Sequence, residues 1–118
     1  MIVTKKEPFT NEEIEWLAEE LETYIKTVID IEKNVCSAGA SLHADNEQIL
    51  LEQGSRQDSL WGGGIDLKTL TVGFNAMINL RPKDNNTSNE ILDPAKRQRF
   101  EYLMKDFFKV LYQQIASE

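Results

Sequence analysis

Cys36 is the only cysteine in the chain and His43 the only histidine. A single thiol excludes an intrachain disulfide, and one imidazole with no cysteine beside it falls short of the nitrogen and sulfur sets that hold zinc. No metal and no cofactor are therefore expected. Positive charge is also scarce: 13 Lys and Arg stand against 20 Asp and Glu, for a net charge of -7 and a pI near 4.7. That is the wrong sign for attracting a phosphate backbone, so nucleic acid is a disfavoured partner. No apolar run approaches the roughly 18 residues of a membrane span. The first residues, Met-Ile-Val-Thr-Lys-Lys-Glu-Pro, lack the apolar stretch of a signal peptide, and a cytoplasmic location is expected.

What remains is the composition of a soluble globular protein, 118 residues with 41% hydrophobic and 28% charged. A chain of that length fits a single domain over residues 1–118 and can bury roughly two-thirds of its unfolded surface. Its acidic residues crowd near the start, at Glu12, Glu13, Glu15, Glu19, Glu20 and Glu22, as the solvated face of a helix. Thr10-Asn11-Glu12-Glu13 opens that helix as a capping box, in which the Thr10 hydroxyl accepts from the Glu13 N–H and the Glu13 carboxylate accepts from the Thr10 N–H. Phe9 and Ile14 suit a hydrophobic staple across it. Ile14, Leu17, Ala18 and Leu21 supply the apolar stripe, which ends near Glu22.

Between Thr23 and Leu42 two readings compete. A heptad spacing runs on through Tyr24, Val28, Ile31 and Val35 and would prolong the helix. Against it, Thr23, Ile25, Thr27, Val28, Ile29 and Ile31 crowd β-branched residues that lose rotamer freedom in a helix and fit a pleated surface. The second reading predicts a hairpin that turns at Glu32 to Asn34 and returns over Val35 to Leu42, with Gly39 allowing close approach of backbone. Asp45 is the expected N-cap of a short helix that Gly54 ends. A second hairpin is predicted near Gly63 to Leu67 and Leu70 to Arg81, because every second residue from Val72 to Leu80 is apolar. Asp93-Pro94 opens a final helix through Phe100, Leu103, Met104, Phe107, Leu111 and Ile115. The order α-β-β-α-β-β-α predicts an α+β, two-layer sandwich: a four-stranded antiparallel sheet from two hairpins with helices on one face.

On such a sheet, alternation sends Lys26, Asp30, Glu32, Ser37, Ser41 and His43 away from the helices, where they can join Asn75, Asn79 and Arg81. Carboxylates, amides, an imidazole and a guanidinium on one surface suit a polar small molecule or a peptide terminus. The plainer reading is an ordinary solvated sheet face. His43 and Asp45, two residues apart, can act as base and orienter, although Asp45 already has a structural role as a helix cap. Trp61 is either a core anchor or the wall of a pocket. The glycines after it lack the Lys and Ser/Thr of a phosphate loop, and positive φ angles or a bulge are expected there instead. Phe108, Val110 and Tyr112 widen the stripe of the last helix, as a buried helix end or as a homodimer contact.

Taken together, Gly39, Leu42-His43-Ala44-Asp45, Gly54-Ser55, Leu60-Trp61-Gly62, Ile78-Asn79-Leu80-Arg81-Pro82 and Glu90-Ile91-Leu92-Asp93 resemble an uncharacterised family of small bacterial proteins, a domain of unknown function. The resemblance spans Tyr24 to Asp93 and implies a stand-alone prokaryotic protein, with no activity or catalytic residues to carry over. The arginine-containing pattern of that family is absent between Asn85 and Asn89, so the resemblance supplies no anion site in that loop. With no strong catalytic spacing anywhere, the leading expectation is a non-enzymatic cytoplasmic binding or interaction module using the polar sheet face. Its ligand or partner is expected among His43, Asp45, Asp30, Trp61, Asn75, Asn79 and Arg81. The alternative is a small hydrolase or metal-dependent enzyme with His43 as base or ligand and Arg81 holding an anion.

Overall fold

The structure, a computed structural model, describes residues 1–21 and 23–116, and of residues 19–21 and 115–116 the backbone alone. The expectations for the side chains of Glu19, Glu20, Leu21, Glu22 and Ile115 lie outside the described residues. In chain order the elements are β1 (Val3–Lys5), α1 (Asn11–Leu21), β2 (Tyr24–Asp30), β3 (Val35–Ala38), α2 (His43–Glu52), β4 (Leu60–Asp66), β5 (Val72–Gly73), α3 (Pro94–Phe107) and α4 (Lys109–Ala116). Short 3-10 turns at Gln57–Ser59, Met77–Asn79 and Pro82–Asp84 lie between them.

The α+β class and the antiparallel sheet are as expected, but the sheet has five strands, in the order β1-β3-β2-β4-β5. The fifth comes from Val3–Lys5, a run too short for alternation to mark, which pairs with Lys5 opposite Cys36 and Val3 opposite Ala38. The β-branched run does form β2, and the hairpin reading of Thr23 to Leu42 prevails over the long helix. Asp30 organises its turn: Oδ1 accepts from the backbone N–H groups of Glu32 and Lys33, Oδ2 accepts from Ser55 Oγ at 2.7 Å, and Asn34 takes φ 58°.

Helices do not keep to one face. Ile25, Ile29, Cys36, Trp61 and Ile65 pack with Phe9, Leu17, Phe100, Phe107 and Phe108, which places α1, α3 and α4 on one side. On the other side Val28, Val35 and Leu60 pack with Leu50 of α2 and with Ile78, so the face predicted to meet solvent is partly covered. Ser37, on that face, is fully buried and accepts from Asn46 Nδ2 of α2 at 2.9 Å. The order is therefore β-α-β-β-α-β-β-α-α, with the sheet between two layers.

The local helix signals hold with two corrections. In the capping box Glu13 N–H donates to Thr10 Oγ1 at 3.1 Å and Thr10 N–H to Glu13 Oε1 at 2.9 Å, and Asp93 Oδ1 accepts from Ala95 and Lys96 ahead of α3. Asp45, however, is not a cap: α2 begins at His43, after a Leu42 whose side chain caps nothing. The last helix breaks at Phe108. Its backbone leaves helical geometry there, at φ -107° and ψ 23°, and Phe107 and Phe108 both bury against Phe9, at ring separations of 5.7 and 5.0 Å.

Candidate functional site

The second hairpin departs most from expectation. Only Val72–Gly73 pairs with β4, and the alternating run beyond it folds into turns. Asn79 takes the place of a strand beside Gly62: its Oδ1 accepts from Gly62 N–H at 2.9 Å and its Nδ2 donates to Gly62 O at 2.9 Å. The same Nδ2 also reaches Phe74 O and Asn89 O. A side-chain amide carries the donor and acceptor of a peptide group, so it can continue a ladder where the backbone has turned away. Asn86 does similar work, donating to the carbonyls of Asn79, Ser88 and Glu90 and accepting from Leu92 N–H.

The glycines explain why the amide fits. None of Gly62, Gly63 and Gly64 has a positive φ, so the expected bulge or left-handed turn is replaced by a need for room. A Cβ on Gly62 would stand 2.6 Å from Ala76 Cβ and 3.2 Å from Ile78 Cδ1, and one on Gly63 would run into Gly73 O and the Phe100 ring. The triple glycine lets both layers close onto the middle of β4.

At the start of β4 this wiring positions Arg81 and Trp61. Arg81 is 8% exposed; its Nη1 donates to Gln57 O at 2.7 Å and to Leu60 O at 2.8 Å, and its Cζ lies 4.0 Å from the centre of the Trp61 ring. Lys96 Nζ stands 5.1 Å from the same ring. The two remaining guanidinium nitrogens, Nε and Nη2, are buried without a hydrogen-bond acceptor, and the Trp61 indole N–H is buried unpaired. Asp84 Oδ2 is 3.3 Å from Nε, an ion pair out of line with the N–H bond. Burial pulls the guanidinium below its usual pKa, opposed by the carboxylates of Asp84, Glu47 and Asp58. Two concavities share Asp84. One, of about 460 Å³, is lined by Arg56, Asp58, Arg81, Pro82 and Lys83; the other, of about 380 Å³, by Trp61, Asn85, Asn86, Asp93 and Lys96.

Of the residues singled out from sequence, Trp61 and Arg81 meet, and Asn79 supports them from Gly62. His43 sits elsewhere: its Nε2 is 2.7 Å from Gly63 O, and its ring lines an apolar concavity of about 350 Å³ with Lys26, Leu42, Met77 and Ile78. Burial holds its imidazole below the usual pKa, partly opposed by the bond to Gly63, with Lys26 adding to the lowering. Asp30 is spent on its turn, Asp45 is exposed in the first turn of α2, and Asn75 is exposed with its backbone bridged to Glu90. Sequence reading missed Asp84 and Lys96. Their signals were Pro82 opening a turn that carries Asp84 back toward Arg81, and Asp93-Pro94, which places Lys96 in the first turn of α3.

Cys36 is fully buried in the sheet, its thiol pushed up by desolvation, the condition of an inert core thiol. Among the described residues no group of three or more His, Cys, Asp and Glu is placed to hold a metal ion, and no helix is long and apolar enough to cross a membrane. Phe108 is buried, and Val110 and Tyr112 pack onto the core, Tyr112 Oη donating to Leu70 O at 2.8 Å. No curated protein and no solved structure matches the chain. The family model described as "Protein of unknown function (DUF5674)" matches residues 1–107, from β1 to the end of α3, and the chain belongs to that family.

Proposed function

We propose that this domain is a non-enzymatic binding module that takes a polar small molecule in the cleft beside Arg81. One observation supports the reading above others: the Arg81 guanidinium is buried and fixed through Nη1, yet Nε and Nη2 have no acceptor. A buried unpaired donor costs about 1–3 kcal/mol, more when charged, and a fixed guanidinium keeps that cost until an oxygen ligand arrives. The site moves from the open sheet face, which α2 partly covers, to the end of the sheet where β4 begins. A volume of about 460 Å³ is that of a small-molecule pocket rather than a protein interface.

The test is an NMR titration of labelled protein with pools of amino acids, nucleotides and sugar phosphates. Saturable shifts confined to the Trp61 indole N–H, the Arg81 side chain and Lys83 are expected. Shifts confined to other surfaces, or turnover of a probe by the purified domain, would overturn the reading. The hydrolase alternative draws on one feature, the partly buried His43 whose imidazole burial holds below its usual pKa beside its own concavity. Hydrolysis abolished by His43→Gln would favour it.

A further inference from the structure

We infer that the ligand of the Arg81 cleft is a zwitterion of the α-amino acid type, its carboxylate received by Nε and Nη2 of Arg81 and its ammonium by Asp84; the inference rests on the binding reading above. Both protons of Nη1 are committed to Gln57 O and Leu60 O, and Trp61 lies against the guanidinium, so its plane is set. Nε–H and one N–H of Nη2 project side by side from the guanidinium edge, the fork that accepts the two oxygens of a carboxylate. These are the two Arg81 nitrogens left without an acceptor.

Both nitrogens are buried, so a ligand carboxylate must take the place that Asp84 holds rather than add to it. Asp84 is suited to yield: its side chain is 33% exposed, it stands on a short turn, and its contact with Nε lacks hydrogen-bond alignment. Charge then selects the ligand. The cleft carries both signs, Arg56, Arg81 and Lys83 against Asp58 and Asp84, with Asp58 already paired to Arg56 at 2.9 Å. A phosphate or a simple carboxylate would displace Asp84 from Arg81 and bring it no cation in exchange. An α-amino acid carries its ammonium on the carbon next to the carboxylate, which gives the displaced Asp84 a new partner and leaves the net charge of the cleft unchanged. Pro82 adds an apolar surface for the ligand's body.

Titration followed by Trp61 emission tests this, in a Trp16→Phe background that removes the other tryptophan, which lies on the exposed side of α1. The probes are the common L-amino acids, the same acids without the α-amino group, and inorganic phosphate. One or more amino acids are expected to bind about 10- to 100-fold more tightly than their deaminated counterparts, the scale of one charged hydrogen bond. Asp84→Asn is expected to weaken the amino acid by about tenfold and to strengthen the deaminated acid, an inversion that a merely structural role for Asp84 would not produce. Equal affinity with and without the amine, or preferred binding of phosphate, overturns the zwitterion and leaves the cleft as a binding site. No saturable change with any probe overturns both.

Discussion

Along β2 and β4, seven residue pairs from Tyr24–Asp66 to Asp30–Leu60 stand in register, and main-chain groups answer main-chain groups. Between Phe74 and Leu92 main-chain pairing shrinks to turns and the isolated bridges Asn75–Glu90 and Arg81–Asn86, and three side chains, Asn79, Arg81 and Asn86, each bond to several backbone atoms of neighbouring turns. Outside Gly62–Gly64, the first region tolerates much change of side chain so long as the faces keep their pattern, because its hydrogen bonds belong to the backbone. The second concentrates them in a few atoms, so one substitution undoes many. Polar residues that look like a binding surface are here, for the most part, scaffold. Arg81 has one edge of its guanidinium bonded to the fold and the other left unpaired.

The largest effect is expected at Asn79. Asn79→Leu keeps the volume but strands Gly62 N–H and the carbonyls of Gly62, Phe74 and Asn89, and should lower unfolding stability by about 4 kcal/mol. Urea denaturation with an unchanged slope measures it, and Asn75→Ala, exposed on the same run, should stay within about 0.5 kcal/mol. If the two variants cost the same, the contrast between the regions collapses.

Next comes a change inside the ladder that leaves its hydrogen-bonding groups untouched. Gly63→Ala drives a methyl into Gly73 O and Phe100 and is expected to cost about 2–3 kcal/mol by thermal or urea unfolding. A cost near zero would show that the layers over β4 can separate.

His43→Gln is smaller, about 1 kcal/mol for the bond to Gly63 O. Its distinctive mark is in pH. Burial, the leading cause, lowers the pKa of His43 in the folded protein below the usual 6.5, so as the pH falls the unfolded chain takes the proton first. The contribution to stability is whole above about pH 6.5 and is lost as the pH falls through the lowered folded value. Unfolding free energy should decline as the pH falls through the usual 6.5 toward the lowered folded value, and His43→Gln should flatten that slope. A slope unchanged in the variant would assign the pH dependence to other groups. The smallest effect belongs to Arg56→Ala, which removes an ion pair whose side chains are 76% and 51% exposed; a change within about 0.5 kcal/mol is expected by the same unfolding assay.

Much of the local structure was legible in the sequence. The Thr10–Glu13 box, the Asp93-Pro94 opening and the β-branched run of β2 each depend on interactions within a few residues, which a chain carries wherever it goes. The alternation of Lys26 and Asp30 against Ile25 and Ile29 also separated the two faces of β2, although the face expected to meet solvent is partly covered by α2. The same rule failed from Phe74 to Leu80, because alternation records only that apolar residues recur. Whether a strand has a partner is settled across the fold, and here the partner position beside Gly62 is held by the Asn79 amide. The candidate site was half visible: Trp61 and Arg81 stood out by type, whereas Asp84 and Lys96 gained meaning only once the turn at Pro82 and the start of α3 brought them to the same corner.

By itself, then, the sequence determined the α+β class, where α1 and α3 begin, the β-branched run that becomes β2 and the acidic charge, all properties of short-range spacing and composition. Tertiary structure decided the fifth strand, the layer of α2 on the second face, the break at Phe108 and the pairing of Arg81 with Trp61. Each of those depends on groups distant in sequence competing for the same buried space and the same hydrogen bonds, and that competition is resolved only when the layers close over β4.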